Sequence, residues 1–142
     1  MKNTALKEFL KCFLVLGLLI LNAWIWLLIA PNVEGNGNAI TNIYEKILLL
    51  FIAGPIVETY LIQVLILDES MKFLKINKHL AIFIAVIIFG LLHYKHWAYM
   101  AKTFIDGFFF SYLYLSFKPN QLKSFWFTTL VHAVYNIIAY FS

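Results

Sequence analysis

Five long apolar runs dominate this sequence of 142 residues and limit the folds that it can adopt. They are approximately Leu6–Ala30, Ile43–Leu67, Leu80–His93, Tyr99–Phe117 and Phe125–Phe141. A helix needs about 20 apolar residues to cross a bilayer. The runs lack the alternation of polar and apolar residues that barrel strands require, whereas a helix satisfies its own backbone in lipid. They therefore predict an all-α, polytopic transmembrane bundle of about five spans.

The composition agrees with a membrane location. The chain is 63% hydrophobic and 13% charged, while a soluble domain is closer to half apolar and a quarter charged. No long linker divides it, so residues 1–142 are expected to form a single membrane-embedded domain. The net charge of +4 comes from lysines without any arginine, and lysines between apolar runs suit membrane flanks better than nucleic-acid binding. The single Cys12 excludes an internal disulfide.

The distribution of lysines predicts the orientation. The first run is longer than the apolar core of a signal peptide and is followed by Pro31, so we expect it to be a retained span. A turn-rich segment, Asn32–Asn38, should follow it. With the N-terminus inside, most lysines lie on the cytoplasmic side, and only Lys46, Lys95 and Lys102 lie outside. This bias favours a cytoplasmic N-terminus and an external C-terminus.

A few polar residues lie inside the apolar runs. An ionisable side chain at bilayer depth costs about 2.5–3.5 kcal/mol even on mild scales, so such residues are candidates for function. They are Glu58, His93, and the pair His132 and Asn136, which share a helix face one turn apart. Pro55 should open the helix beside Glu58 and free backbone carbonyls there. A carboxylate, imidazoles and a carboxamide can activate water and stabilise an oxyanion.

Each of these residues also has a structural interpretation. Glu58 could mark a kink with a hydrogen-bonded carboxyl group, and His132 with Asn136 could link helices. His93 could be an interfacial residue with a hydrated tip, and the run that it ends is short unless the helix continues through Trp97. With the predicted orientation, His93 lies near the outer end of the third span, whereas Glu58 and His132 lie near the middle of the membrane. Asp106 is a secondary candidate, and His96 belongs to an interfacial aromatic segment. Gly90 and Gly107 should permit close approach of helices.

Three motifs carry a family resemblance. They are Pro55–Gln63 with Glu58, Phe89–His93, and His132–Asn136. In this order they resemble the motifs Glu-Glu-x-x-x-Arg, Phe-x-x-x-His and His-x-x-x-Asn/Asp of the CPBP family. That family comprises CAAX proteases and bacteriocin-processing proteins related to the Ras-converting CAAX endopeptidase. The resemblance covers residues 54–142 and departs at Thr59 and Gln63, where the family has glutamate and arginine.

The resemblance implies an intramembrane endopeptidase. Glu58 would be the general base on a water assisted by His93, and His132 with Asn136 would form the oxyanion hole. Thr59, Gln63 and Phe89 would support them. The substrate would be a peptide or protein, with or without a lipid modification, and the location a bacterial cytoplasmic membrane. No cofactor or metal is expected, since the usual zinc spacing is absent. A metal-dependent variant would bind a divalent ion such as zinc through Glu58, His93 and His132.

Two other functions remain open. The altered first motif is compatible with a non-catalytic membrane protein of the same fold, such as a bacteriocin-immunity or binding protein. A haem or redox subunit with His93 and His132 as axial ligands is the third hypothesis, and it leaves Glu58 and Asn136 without a role.

Overall fold

A computed structural model describes residues 2–31 and 42–141, which form five helices joined by short connections. The helices are α1 (Lys2–Ile29), α2 (Ile43–Phe73), α3 (Lys78–Leu91), α4 (Trp97–Ser116) and α5 (Gln121–Phe141). The described residues contain no strand, so the prediction of an all-α fold is confirmed. The turn predicted at Asn32–Asn38 lies outside the described residues.

The number of membrane spans is a separate question. Two helical segments are long and apolar enough to cross a membrane, Thr4–Ile29 and Ile43–Phe73. Helix α3 is apolar but shorter. The expectation that all five helices span the bilayer stays a prediction.

Side chains from the connecting segments cap the N-termini of α2, α3, α4 and α5. The Asn42 and Asn77 carboxamides accept hydrogen bonds from backbone N–H groups in the first turns of α2 and α3. Asn120 does the same for α5, and the His96 imidazole accepts from Ala98 N at 3.2 Å to cap α4. Such caps satisfy donors that a helix start leaves open. The predicted interfacial residue His96 is thus also a helix cap.

Helix α4 lies at the centre of the bundle and packs against each of the other helices. The core contains Leu19, Ile62, Ala85, Phe110 and Val131, one from each of the five helices. Two glycines allow α3 and α4 to come close. A Cβ atom at Gly90 would lie 2.0 Å from the Phe104 ring, and one at Gly107 would lie 2.9 Å from Phe89. The expected role of Gly90 and Gly107 in close helix approach is confirmed.

Helix α3 has only 14 residues and ends at Leu91, so it does not continue through Trp97. At about 1.5 Å per residue it is about 21 Å long. The Phe89 ring, in the last turn of α3, is 6.1 Å from the His132 ring. The predicted difference in membrane depth between His93 and the pair Glu58 and His132 stays a prediction.

The lysine-rich end of the bundle is held by several polar contacts. Lys123 pairs with Glu8 at 2.8 Å and joins α5 to α1. Lys118 forms an ion pair with Asp68, at the end of the predicted second span, and the Tyr114 hydroxyl donates to the same carboxylate at 3.3 Å. These contacts fix the ends of the helices, while the candidate residues lie farther along them.

Candidate active site

Glu58 lies in a part of α2 whose backbone is not a regular α-helix. Residues Gly54–Glu58 form an α-helical turn between two π-helical stretches, Ile47–Ala53 and Thr59–Asp68. π-Helical segments are rare in proteins and frequently occur at functional sites. Pro55 is buried in the first turn of this α-helical segment. The expected disturbance at Pro55 is therefore a wider helical register rather than a break in the helix.

The Glu58 side chain is directed towards α5. Its Oε2 atom lies 3.6 Å from His132 Nε2, and the Glu58 side chain is 31% exposed while that of His132 is 6% exposed. The separation is slightly long for a direct hydrogen bond, which is the range in which a bridging water must be considered. The Glu58 side chain thus has one imidazole beside its carboxylate and remains partly exposed.

Aromatic rings hold the His132 imidazole in place. The Phe110 ring is tilted by 30° against it with centroids 4.3 Å apart, and Phe89 meets it edge-on at 6.1 Å. Because His132 is buried among rings on two of its sides, its orientation towards Glu58 is restricted. Phe89, expected from the motif to support the site, contacts this imidazole directly.

His93 follows the end of α3 and turns back onto it. Its Nδ1 atom lies 2.8 Å from the Phe89 carbonyl oxygen. A carbonyl oxygen only accepts, so Nδ1 carries the hydrogen, and in the neutral ring Nε2 keeps its lone pair. The ring packs on Phe89 at 4.8 Å and on Tyr99 at 5.4 Å. His93 and His132 therefore both contact the Phe89 ring, and the bond to the backbone gives His93 a fixed tautomer.

Asn136 contacts the backbone of α2. Its Nδ2 donates to the Leu50 carbonyl oxygen at 2.9 Å. Asn136 and His132 are one turn apart on α5, so they meet α2 at two successive points. One of the two amide hydrogens of Asn136 is therefore used in a link between the helices.

The two positions that depart from the family motifs are deeply buried. Thr59 is 2% exposed and Gln63 is 3% exposed. Thr59 Oγ1 and Gln63 Oε1 have no hydrogen-bond partner, and the same holds for the hydroxyls of Thr128 and Thr129, which precede His132 on α5. Buried polar atoms are generally satisfied by protein groups or by ordered water. The interior beside Glu58 and His132 therefore offers several unpaired polar atoms.

Asp106 forms a separate polar network. It is 2% exposed, pairs with Lys102 at 2.7 Å, and accepts from Asn22 Nδ2 at 2.8 Å and from the Tyr135 hydroxyl at 3.2 Å. Lys102, counted from the sequence as an external lysine, has a side chain that is only 15% exposed because of this pair. The sequence contained a signal for it, since Lys102 and Asp106 are spaced i and i+4 on one helix face.

The described residues contain no group of three or more His, Cys, Asp or Glu side chains that could hold a metal ion. The ligand set considered for a metal-dependent variant was Glu58, His93 and His132. Of these, Glu58 and His132 are neighbours, and the Nδ1 atom of His93 is occupied by the Phe89 carbonyl. The structure thus brings Glu58 and His132 together directly, while His93 is joined to His132 through the Phe89 ring that both contact.

Comparison with known proteins identifies one family. The family model for type II CAAX prenyl endopeptidases of the Rce1-like type matches residues 41–138, which include all three motifs. No curated protein matches the chain. No solved structure matches it either.

Proposed function

This chain belongs to the Rce1-like family of type II CAAX prenyl endopeptidases, and we propose that it cuts a peptide bond with a water activated by Glu58. The family is one of proteases, and the apolar helices agree with a membrane protein. The observation that carries the proposal is the meeting of the partly exposed Glu58 carboxylate with the buried His132 imidazole at 3.6 Å. An acid kept at this depth, open on one side, can receive a water and its proton.

The reaction would proceed in two stages. Glu58 accepts a proton from the water while the water oxygen attacks the peptide carbonyl carbon. The carbonyl electrons move to oxygen and give a tetrahedral oxyanion. When the C–N bond breaks, the departing nitrogen takes the proton from Glu58, and the products are a carboxylic acid and an amine. Each proton is thereby accounted for without any further reactant.

The two imidazoles have different roles in this scheme. His93 keeps a lone pair on Nε2, because Nδ1–H is bonded to the Phe89 carbonyl, and it can orient the attacking water. His132 Nε2 faces Glu58, and an N–H there can donate to the carboxylate or to the oxyanion. The burial of His132 strengthens any such interaction, because little water competes for it.

Thr59 and Gln63 support water in the site rather than a charged pair. The family motif has glutamate and arginine there, and this chain has two neutral side chains with unpaired, buried oxygens. Internal water bonded to these oxygens would hold the site hydrated within an apolar bundle. A metal-free mechanism agrees with this arrangement, and we propose no cofactor.

The substrate class follows from the family description. A peptide or protein with a C-terminal CAAX segment, with or without a prenyl group, is the first substrate to examine. The second candidate function is a non-catalytic membrane protein such as a bacteriocin-immunity or binding protein. The observation in its favour is the loss of both charges at Thr59 and Gln63.

The test is cleavage by purified protein in liposomes. Two versions of one CAAX peptide, with and without a farnesyl group on the cysteine, are incubated with the protein, and products are identified by mass spectrometry. Glu58→Gln should abolish product, because a carboxamide keeps the volume but accepts no proton. Glu45→Gln is the matched control, since Glu45 is exposed on the same helix. Full activity in Glu58→Gln would end the proposal.

Substitutions of a candidate histidine and of an exposed histidine are compared in the same cleavage assay. His93→Ala should be nearly as severe as Glu58→Gln, and His79→Ala, at an exposed position, should leave cleavage unchanged. His96 is a less suitable control because its imidazole caps α4. An immunity-type protein would give a different pattern: protection of host cells would survive Glu58→Gln and be lost only in variants that fail to fold.

A further inference from the structure

We propose that Asn136 is a positioning residue that replaces the hydrogen-bond donor missing from Pro55 and thereby sets α5 against α2 at the Glu58–His132 pair. The effect on catalysis rests on the function proposed above. The structural part of the inference rests on the backbone of α2 and its contact with Asn136, and it requires no catalytic activity. It assigns the contact between Asn136 Nδ2 and Leu50 O a role that differs from oxyanion stabilisation.

The backbone register identifies the carbonyl that lacks a donor. Gly54 N–H donates to Leu49 O, five residues earlier, as a π-helical register requires. One residue further along, the same register would pair the nitrogen of residue 55 with Leu50 O. Residue 55 is proline, whose nitrogen carries no hydrogen. Leu50 O is therefore left open on the side of α2 where Asn136 donates to it at 2.9 Å.

The local sequence keeps α2 in this register. A Cβ atom on residue 54 would lie 2.5 Å from the Leu49 carbonyl oxygen, so only glycine fits there. Pro55 is buried and cannot provide an N–H in any rearrangement of the side chains around it. An unpaired backbone carbonyl in an apolar interior is costly, so the donor must come from another helix. Asn136 is that donor.

The link controls the geometry of the candidate site. Leu50 precedes Glu58 on α2, and Asn136 follows His132 by one turn on α5, so the two contacts lie in line along the interface. Two points of contact fix both the rotation and the register of one helix relative to the other. Loss of the Asn136 contact would let Glu58 and His132 move apart, and displacement of a reacting group by about 1 Å can cost about 10²-fold in rate.

A double-mutant cycle with Asn136→Ala and Pro55→Ala tests this role. Asn136→Ala alone should lower kcat per folded molecule by about 10²-fold with little change in KM, and lower the thermal midpoint by about 5 °C. In the Pro55→Ala background residue 55 has an N–H for Leu50 O, so the same substitution should cost much less in both measurements. An unchanged loss of kcat in both backgrounds, with no effect on the midpoint, would overturn the proposal.

A second measurement avoids any dependence on how Pro55→Ala folds. The side-chain amide of Asn136 should show slow hydrogen exchange with water by NMR in detergent micelles, in contrast to the exposed carboxamide of Asn42. Exchange of Asn136 as fast as that of Asn42 would refute the link. Neither the midpoint nor the exchange rate needs a substrate, so a wild-type protein that cuts nothing would contradict the proposed function and leave this test intact.

Discussion

Glu58 and Asp106 are both acids inside the apolar bundle, yet their surroundings differ. Asp106 is 2% exposed and is held by Lys102, Asn22 and Tyr135 at distances of 2.7–3.2 Å. The Glu58 side chain is 31% exposed, and its ion-pair contact is with His132 at 3.6 Å. The Asp106 carboxylate is engaged by three partners, whereas the Glu58 carboxylate is partly exposed and has a longer contact with one imidazole.

Under the proposed function, this difference distinguishes an acid that holds the structure together from one that reacts. A carboxylate that is fully paired and hydrogen-bonded is stabilised in its ionised form and has no site for a water. A carboxylate with an open side can bind a water and take its proton. The two acids therefore differ both in exposure and in the number and distance of their partners.

Replacing each acid by its amide should affect stability very differently, and the largest loss is expected at Asp106. Asp106→Asn should lower the free energy of unfolding by about 3–5 kcal/mol, because Lys102 is left as an unpaired, mostly buried charge. Glu58→Gln should lower it by less than about 1 kcal/mol, since Gln can still donate to or accept from a neighbour. Thermal and denaturant unfolding in detergent micelles measure both. An equal loss in the two variants would remove the distinction between the acids.

Replacing the Lys102–Asp106 ion pair by two apolar residues tests the role of its charges more sharply. Lys102→Met together with Asp106→Leu should be clearly more stable than Asp106→Asn, because replacing a whole buried ion pair by apolar groups is often neutral. The same unfolding measurement applies. A double variant as unstable as the single one would indicate that Asn22 and Tyr135 hold the helices mainly through hydrogen bonds to Asp106.

Gly107→Ala should disturb the region between the two acids. The new methyl group would lie 2.9 Å from Phe89 Cδ1, and forced packing of this kind costs about 1–3 kcal/mol. Because Phe89 contacts both His93 and His132, cleavage per folded molecule should fall as well. Gly17→Ala is the matched control, since no atom lies within 4 Å of its new Cβ. Equal behaviour of the two variants would argue against Phe89 as a support for the imidazoles.

Thr128→Val tests whether the interior near Glu58 is hydrated. The Thr128 hydroxyl is fully buried without a protein partner, so we expect a bound water and a loss of about 1 kcal/mol on its removal. A gain in stability would mean instead that the hydroxyl is dry and unpaired. Chemical unfolding distinguishes the two signs.

Chelation should produce the smallest effect. We expect EDTA to leave both cleavage and the thermal midpoint unchanged, because the proposed mechanism activates water with Glu58 and His93 and uses no metal ion. A loss of activity that is restored by zinc would instead favour the metal-dependent variant with Glu58, His93 and His132.

The sequence predicted the helices well and the contacts between them less well. Apolar runs located all five helices to within a few residues at most ends, because burial in lipid or in the bundle requires long apolar segments. Pro55 predicted a freed carbonyl beside Glu58, whereas the carbonyl that we propose to be open, Leu50 O, lies eight residues before it. Its partner Asn136 could not be derived, since the pairing joins residues 86 positions apart. The family assignment from three short motifs is confirmed, while the roles of the four candidate residues stay predictions.

Local patterns also hid the π-helical backbone and the Asp106 network. The change of register in α2 depends on neighbouring helices. Its two π-helical stretches have only seven and ten residues, which is too short for a periodic signal in the sequence. Asn22 reaches Asp106 across 84 positions, which depends on the rotation of α1 about its axis. Lys102 was the exception, because its spacing from Asp106 was visible in the sequence.

The short third helix has a consequence for the lipid around the protein. At about 21 Å, α3 falls roughly 9 Å short of the hydrocarbon thickness of about 30 Å. The turn after it exposes Tyr94, Lys95 and His96, side chains that require water or lipid headgroups. A bilayer meets such a mismatch by thinning locally. If α3 spans the bilayer, as the sequence predicts, headgroups and water would lie closer to His93 than to the ends of the longer helices, and polar reactants could reach the bundle there.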